Sequence, residues 1–205
     1  NKELIKAAGE GKARLVGGLI TAGADITTLA DNSKDTGFHI GIKKGYECVV
    51  RTFLDHKINV NLRGGDNNET ALIMAVGKRK NMFTIKMLLE HGADMNLQAQ
   101  NGDTALIEAA RRDRMKAVCE LLDRNADRTI RNKRNQTAYD VSKEYKNSEI
   151  TFLLDDVSKE YKKSEISILL DDVSREYKNS EITYLLDDDG KADPKSVVTG
   201  IRALT

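Results

Sequence analysis

Residues able to carry chemistry are few in this sequence, and they are scattered. His39, His56 and His91 stand in three separate places, and Cys48 and Cys119 are the two thiols. Nothing around either thiol points to a lowered pKa, so a Cys/His nucleophile pair has no support. Both cysteines read as small, buried apolar residues, and His56 and His91 as surface residues. Two cysteines make neither a disulfide framework nor a zinc site, and no carboxylate cluster has metal-ligand spacing. Gly17-Gly18 and Gly64-Gly65 lack the lysine and the strand-then-helix setting of a phosphate loop. The pairs Asp155-Asp156 and Asp171-Asp172 fall within a recurring segment and belong on a solvated face; a calcium site would need more ligands and a loop. The expectation is a non-enzymatic chain with no catalytic residue, metal, cofactor or small-molecule substrate.

Composition agrees with a folded, water-facing scaffold. The 205 residues are 40% hydrophobic and 32% charged, with one Pro and no Trp. The charged fraction exceeds the roughly 25% of an average domain, yet the apolar fraction is too high for wholesale disorder. No run approaches the roughly 18 apolar residues of a membrane span. The start, Asn1-Lys2-Glu3-Leu4-Ile5, shows no secretory signal and no initiator Met. A reducing, cytoplasmic setting is therefore expected, for a chain that is processed or a fragment. Net charge is +1, but it is unevenly spread: residues 1–139 hold 23 Lys/Arg against 17 Asp/Glu, and residues 140–205 hold 10 against 15. Such a split points to two differently built parts.

The elements that must position these side chains announce themselves by repetition. Thr36, Thr70, Thr104 and Thr137 lie 34, 34 and 33 residues apart. Each opens an apolar segment, Thr70-Ala71-Leu72-Ile73-Met74-Ala75 being typical. A second apolar stretch follows, such as Ile85-Lys86-Met87-Leu88-Leu89, and then a turn, Gly92-Ala93-Asp94-Met95-Asn96. An earlier copy runs from Ala7-Ala8 to Gly23-Ala24-Asp25. The two stretches, at helical spacing, predict an antiparallel helix pair. Gly23 and Gly92 can take the left-handed conformation that ends a helix, and each Thr hydroxyl can bond backbone groups where the first helix begins. Gly41, Ala75 and Ala109 sit where helices must approach closely. One such unit cannot bury its own apolar face, so neighbours must stack.

This pattern resembles the ankyrin repeat over roughly residues 1–155. The resemblance implies an all-α ankyrin-repeat solenoid of helix–turn–helix units joined by β-turn or hairpin loops. The expected units are 1–32, 33–66, 67–100, 101–133 and 134–155. The sequence departs from the family pattern at its Pro, replaced by Gly37, Ala71, Ala105 and Ala138, and His39 alone keeps the family's His. At that place the family uses His for local hydrogen bonding. The third unit has an extra residue near Lys78-Arg79-Lys80. Gly17-Gly18 inside a helix costs roughly 1 kcal/mol per Gly, making the first unit the softest.

A shorter period begins within the fifth unit. Residues 140–155, 156–171 and 172–187 are near-identical 16-residue segments, the first reading DVSKEYKNSEITFLLD. One continuous helix would rotate its apolar stripe by about 160° per copy, and so would face a core only alternately. Cutting at Ser148 instead puts Ile150, Leu153, Leu154, Val157 and Tyr161 on one face. Helices are thus expected near 149–162, 165–178 and 181–187, with Ser148, Ser164 and Ser180 as N-caps, so that 156–187 caps the array. Residues 188–205 are expected to form a loosely held tail.

Function is expected on the surface. In ankyrin-like arrays partners dock on the turn tips and on the exposed side of the first helices. The resemblance places the tips at Asp66, Asn67, Glu69, Gln100, Asn101, Asp103, Lys133, Arg134 and Gln136. It places the helix ends at Lys43, Lys44, Lys78, Arg79, Lys80, Arg111, Arg112 and Arg114. Stacking would align these helix ends into a basic stripe able to attract an acidic protein surface or phosphate groups. A monomeric adaptor binding an acidic protein partner is the leading expectation. The alternatives are a bacterial effector binding a host protein, a regulatory or inhibitory subunit of an enzyme, and a nucleic-acid or anionic-lipid binder. Missing aromatics among the basic residues count against single-strand stacking. The resemblance also marks Asn61 and Asn96 as positions sometimes hydroxylated in the family.

Overall fold

The computed structural model describes residues 1–155, apart from 31, 32 and 80. Five helix pairs follow one another: α1 (Lys2–Gly9) and α2 (Ala13–Thr21), α3 (Gly37–Lys44) and α4 (Glu47–Asp55), α5 (Ala71–Val76) and α6 (Met82–Glu90), α7 (Ala105–Arg111) and α8 (Met115–Asp123), α9 (Ala138–Glu144) and α10 (Ser148–Leu154). First helices pack on first helices and second on second, giving two layers. The strands β1 (Arg63–Gly64) and β2 (Glu69–Thr70) pair antiparallel, Arg63 opposite Thr70, in the loop that leads into α5. A lone bridge, Leu29 to Thr36, marks the same place one unit earlier.

The core lies between the layers. Phe38, Ile42, Phe53, Leu72, Ile85, Leu88, Leu106, Ile107, Leu121 and Ile150 are fully buried. Phe38 meets Phe53 edge-on at 5.9 Å, a geometry favoured by the ring quadrupoles. Ala75 and Ala109 are also closed to solvent, and a side chain on Gly41 would meet Val49 at 3.0 Å, so the small residues lie at close helix approaches.

Each unit begins and ends by local chemistry. Thr70, Thr104 and Thr137 accept a bond on the side-chain oxygen from the N–H three residues on. Second helices end in a left-handed residue: Gly23 (φ 92°), Lys57 (φ 58°), Gly92 (φ 82°) and Asn125 (φ 63°). At Gly92 the motif is complete, with the Gly92 N–H bonding the Leu89 carbonyl and Ala93 N–H that of Leu88. Neighbouring units are then tied by asparagines: the Asn61 and Asn96 side-chain oxygens accept the N–H of Asp94 and Asp127 at 2.9 and 3.0 Å.

Three expectations are corrected here. Cys48 is exposed and Cys119 half-exposed, because Val49, Val50 and Phe53 form the inward face of α4 and Cys48 lies off it. The helix expected over 149–162 starts at Ser148 and stops at Leu154. Asp155 is already extended (ψ 143°), and a run of acidic residues is disfavoured at the negative end of a helix. Its N-cap position is Asn147, with Ser148 the first helical residue. The helices expected at 165–178 and 181–187, the caps Ser164 and Ser180, and the tail lie outside the described residues.

Candidate protein-interaction surface

The residue just before each capping Thr can reach the residue eight positions later, at the far end of the same first helix. Asp35 Oδ2 lies 2.6 Å from Lys43 Nζ, and Asp103 Oδ2 lies 2.6 Å from Arg111 Nη2. In the fifth unit the pair is Gln136 Nε2 to Glu144 Oε2, also at 2.6 Å. In the third, Gly77 stands eight residues after Glu69, so no such pair can form. The fourth unit's clasp is the most elaborate. Asp103 also accepts bonds from Asn101 and, across the unit boundary, from Asn132. Arg111 additionally touches Glu108 and lies over the Tyr145 ring at 5.7 Å. With Asp103 only 1% exposed and the Arg111 side chain 19%, this is a closed network with its charges met.

These contacts redraw the expected surface. Asp103 is no turn-tip contact: its carboxylate is turned inward and fully used. Lys43 and Arg111 are engaged by carboxylates, Lys44 Nζ donates to the Gly9 carbonyl at 2.8 Å, and Arg112 Nε pairs with Glu108 at 2.8 Å. Asp66, Asn67, Gln100, Asn101, Lys133 and Arg134 stay exposed at the tips, with Glu69 and Gln136 half-buried. Backbone bonds zip successive tips together, Gln100 N–H to the Asn67 carbonyl and Lys133 N–H to that of Asn101. At the helix ends, Lys78, Arg79 and Arg114 meet no carboxylate at ion-pair distance among the described residues. Lys80 lies outside them. Burial, followed by the like charges of Arg79 and Arg112, lowers the pKa of Arg114.

Sequence reasoning missed the struts next to this cluster. Asn81 and Asn147 each precede a second helix and send their side-chain amide to a first-helix carbonyl of the preceding unit, Ile42 at 3.2 Å and Ala110 at 2.7 Å. Their shared position before the second helix was the available signal. His39 is a second internal device. It is fully buried, its Nε2–H donates to the Leu62 carbonyl at 3.1 Å, and its Nδ1 accepts from the Thr36 N–H at 3.2 Å. Burial lowers its pKa, outweighing the Leu62 contact and the charge of Asp35. His56 and His91 are exposed helix-end residues bonding the carbonyl four residues back.

Among the described residues no group of three His, Cys, Asp or Glu is placed to hold a metal ion, and no helix is long and apolar enough to cross a membrane. Comparison with known proteins gives one consistent answer. A family model of three ankyrin repeats matches residues 4–99, and a second ankyrin-repeat model matches residues 88–142. The chain is 35% identical over 108 residues to Protein HOS4 of Saccharomyces cerevisiae, covering 53% of this chain and 9% of that protein. It is 35% identical over 105 residues to the E3 ubiquitin-protein ligase KEG of Arabidopsis thaliana, 51% of this chain and 6% of that one. With mouse Ankyrin repeat and SOCS box protein 6 it shares 27% identity over 106 residues, 52% of this chain and 25% of that protein. The chain thus spans a minor part of each relative's length. Repeats of this kind are generally protein-binding modules, and neither matched model indicates a catalytic family. From the recurring Thr caps to the stacked helix pairs and both family matches, the chain belongs to the ankyrin-repeat family.

Proposed function

We propose that this chain is a non-enzymatic adaptor that binds an acidic protein partner through the helix ends of its third and fourth repeats. The observation that supports this reading is the charge of Lys78, Arg79 and Arg114, which meet no carboxylate at ion-pair distance among the described residues, whereas Lys43, Arg111 and Arg112 do. A rigid solenoid presents such side chains at fixed spacing, so little ordering entropy is lost on binding. The internal pairing of Lys43, Arg111 and Arg112 interrupts the stripe, which disfavours an extended polyanion such as nucleic acid or a lipid surface.

Affinity capture with the wild-type chain and a Lys78→Glu, Arg79→Glu, Arg114→Glu variant tests the reading. The variant should lose the partners that the wild type retains. An unchanged set of partners would overturn it. Arg111 is left alone, because reversing it would leave Asp103 buried against like charge.

A further inference from the structure

The clasp that spans the first helices is broken at one place. Four units contain both of its positions, the residue before the capping Thr and the residue eight later. Three are closed at 2.6 Å, by Asp35 and Lys43, by Asp103 and Arg111, and by Gln136 and Glu144. In the third unit the carboxylate is present as Glu69, but Gly77 stands where the cation belongs. Among the described residues no cation comes within ion-pair distance of Glu69, and its carboxylate accepts only the Asn67 side-chain amide, at 3.3 Å. Neither backbone nor space demands this glycine. Gly77 is right-handed (φ −61°), a conformation open to ordinary residues, and an added Cβ would find nothing nearer than 3.4 Å. Glycine also loses more freedom on folding than any other residue, so this helix end forgoes stability as well as an ion pair.

The unfilled place borders groups of both signs. Glu108 Oε1 lies 3.5 Å from where a Cβ on Gly77 would stand, and Glu108 is already held by Arg111 and Arg112. Glu69 is therefore the carboxylate with a cation still to gain. Lys78 and Arg79, both exposed, follow Gly77 directly in the chain. We propose that this place receives a lysine or arginine side chain of the protein partner, carried on an otherwise acidic segment. The cation completes the clasp to Glu69 from outside, and the flanking acidic side chains meet Lys78, Arg79 and Arg114. This rests on the adaptor reading above and narrows it from an acidic surface to a segment of mixed charge. A segment basic throughout is penalised by like charge against Lys78 and Arg79, whereas one acidic throughout leaves Glu69 opposed by like charge.

Fluorescence polarisation with the full 205-residue chain tests this. The probes are labelled degenerate peptide pools rich in Asp and Glu, with a fixed central Arg in one pool and Gln in the other. The Arg pool should bind wild type about fivefold more tightly, the reach of one partly screened ion pair. Glu69→Gln should remove that preference. Gly77→Arg should remove it too, by supplying the cation within the chain, while Gly77→Ala should keep it. Gly77→Arg should also melt above Gly77→Ala, because the clasp is then closed. Equal binding of the two pools to wild type would overturn the inference, as would a preference that survives either Glu69→Gln or Gly77→Arg. If both pools bind equally and both are lost in the Lys78→Glu, Arg79→Glu, Arg114→Glu variant, the adaptor reading stands and this inference alone falls. If neither pool binds, both fall.

Discussion

At the scale of single residues, two buried polar groups hold the array to its geometry. Gly64 passes so close to His39 that an added Cβ would lie 2.6 Å from Nδ1. Because His39 is anchored at both ring nitrogens, it cannot yield, and Gly64→Ala should destabilise the fold by about 2–3 kcal/mol in urea unfolding. His39 also sets a pH response. Its folded pKa is lowered by burial, while an unfolded histidine titrates near about 6.5. The unfolded chain therefore gains a proton first, so this contribution is complete above pH of about 6.5 and is lost as pH falls below it. Melting temperature should drop between about pH 7 and 5, and His39→Gln should flatten that part of the profile. Asp103 is the other anchor. Asp103→Ala removes the acceptor shared by Arg111, Asn101 and Asn132, and should cost about 2–3 kcal/mol, reduced from a fully buried pair because Arg111 keeps some water contact.

At the scale of elements, the same stop signal is built from different residues. Gly23 and Gly92 end their helices without steric penalty, whereas Lys57 must hold φ at 58° to make the same turn. Lys57 is exposed, and Lys57→Gly should raise stability by about 0.5–1 kcal/mol, read as a shifted denaturant midpoint with an unchanged slope. The first helices show a matching variety. The third residue of α3 is His39 and that of α9 is Asp140, and both reach back to the cap residue's N–H; Ile73 and Ile107 are buried at that place instead. Polar closure and apolar packing are thus alternative solutions at one register position.

At the scale of the whole molecule, the repeat architecture was legible because identical chemistry recurs in register: Thr at the first helix, Gly-Ala-Asp after the second. The surface was less so. Asp103 and Lys133 look equally like tip residues in a linear sequence. Only the clasp to Arg111, with Asn132 arriving from the next repeat, turns Asp103 inward. The basic stripe is likewise continuous in the linear sequence, whereas in the fold Lys43 and Arg111 are engaged by carboxylates eight residues earlier in the chain. The end of α10 is not legible in the sequence, because helical spacing continues past Leu154 while Asp155 is already extended. What survives is a local cationic patch on a regular scaffold. Hydrogen–deuterium exchange of the chain with and without a captured partner tests this most directly. The account predicts slowed exchange in the loops 77–81 and 111–116; protection confined to the outer second helices or the hairpin tips would contradict it.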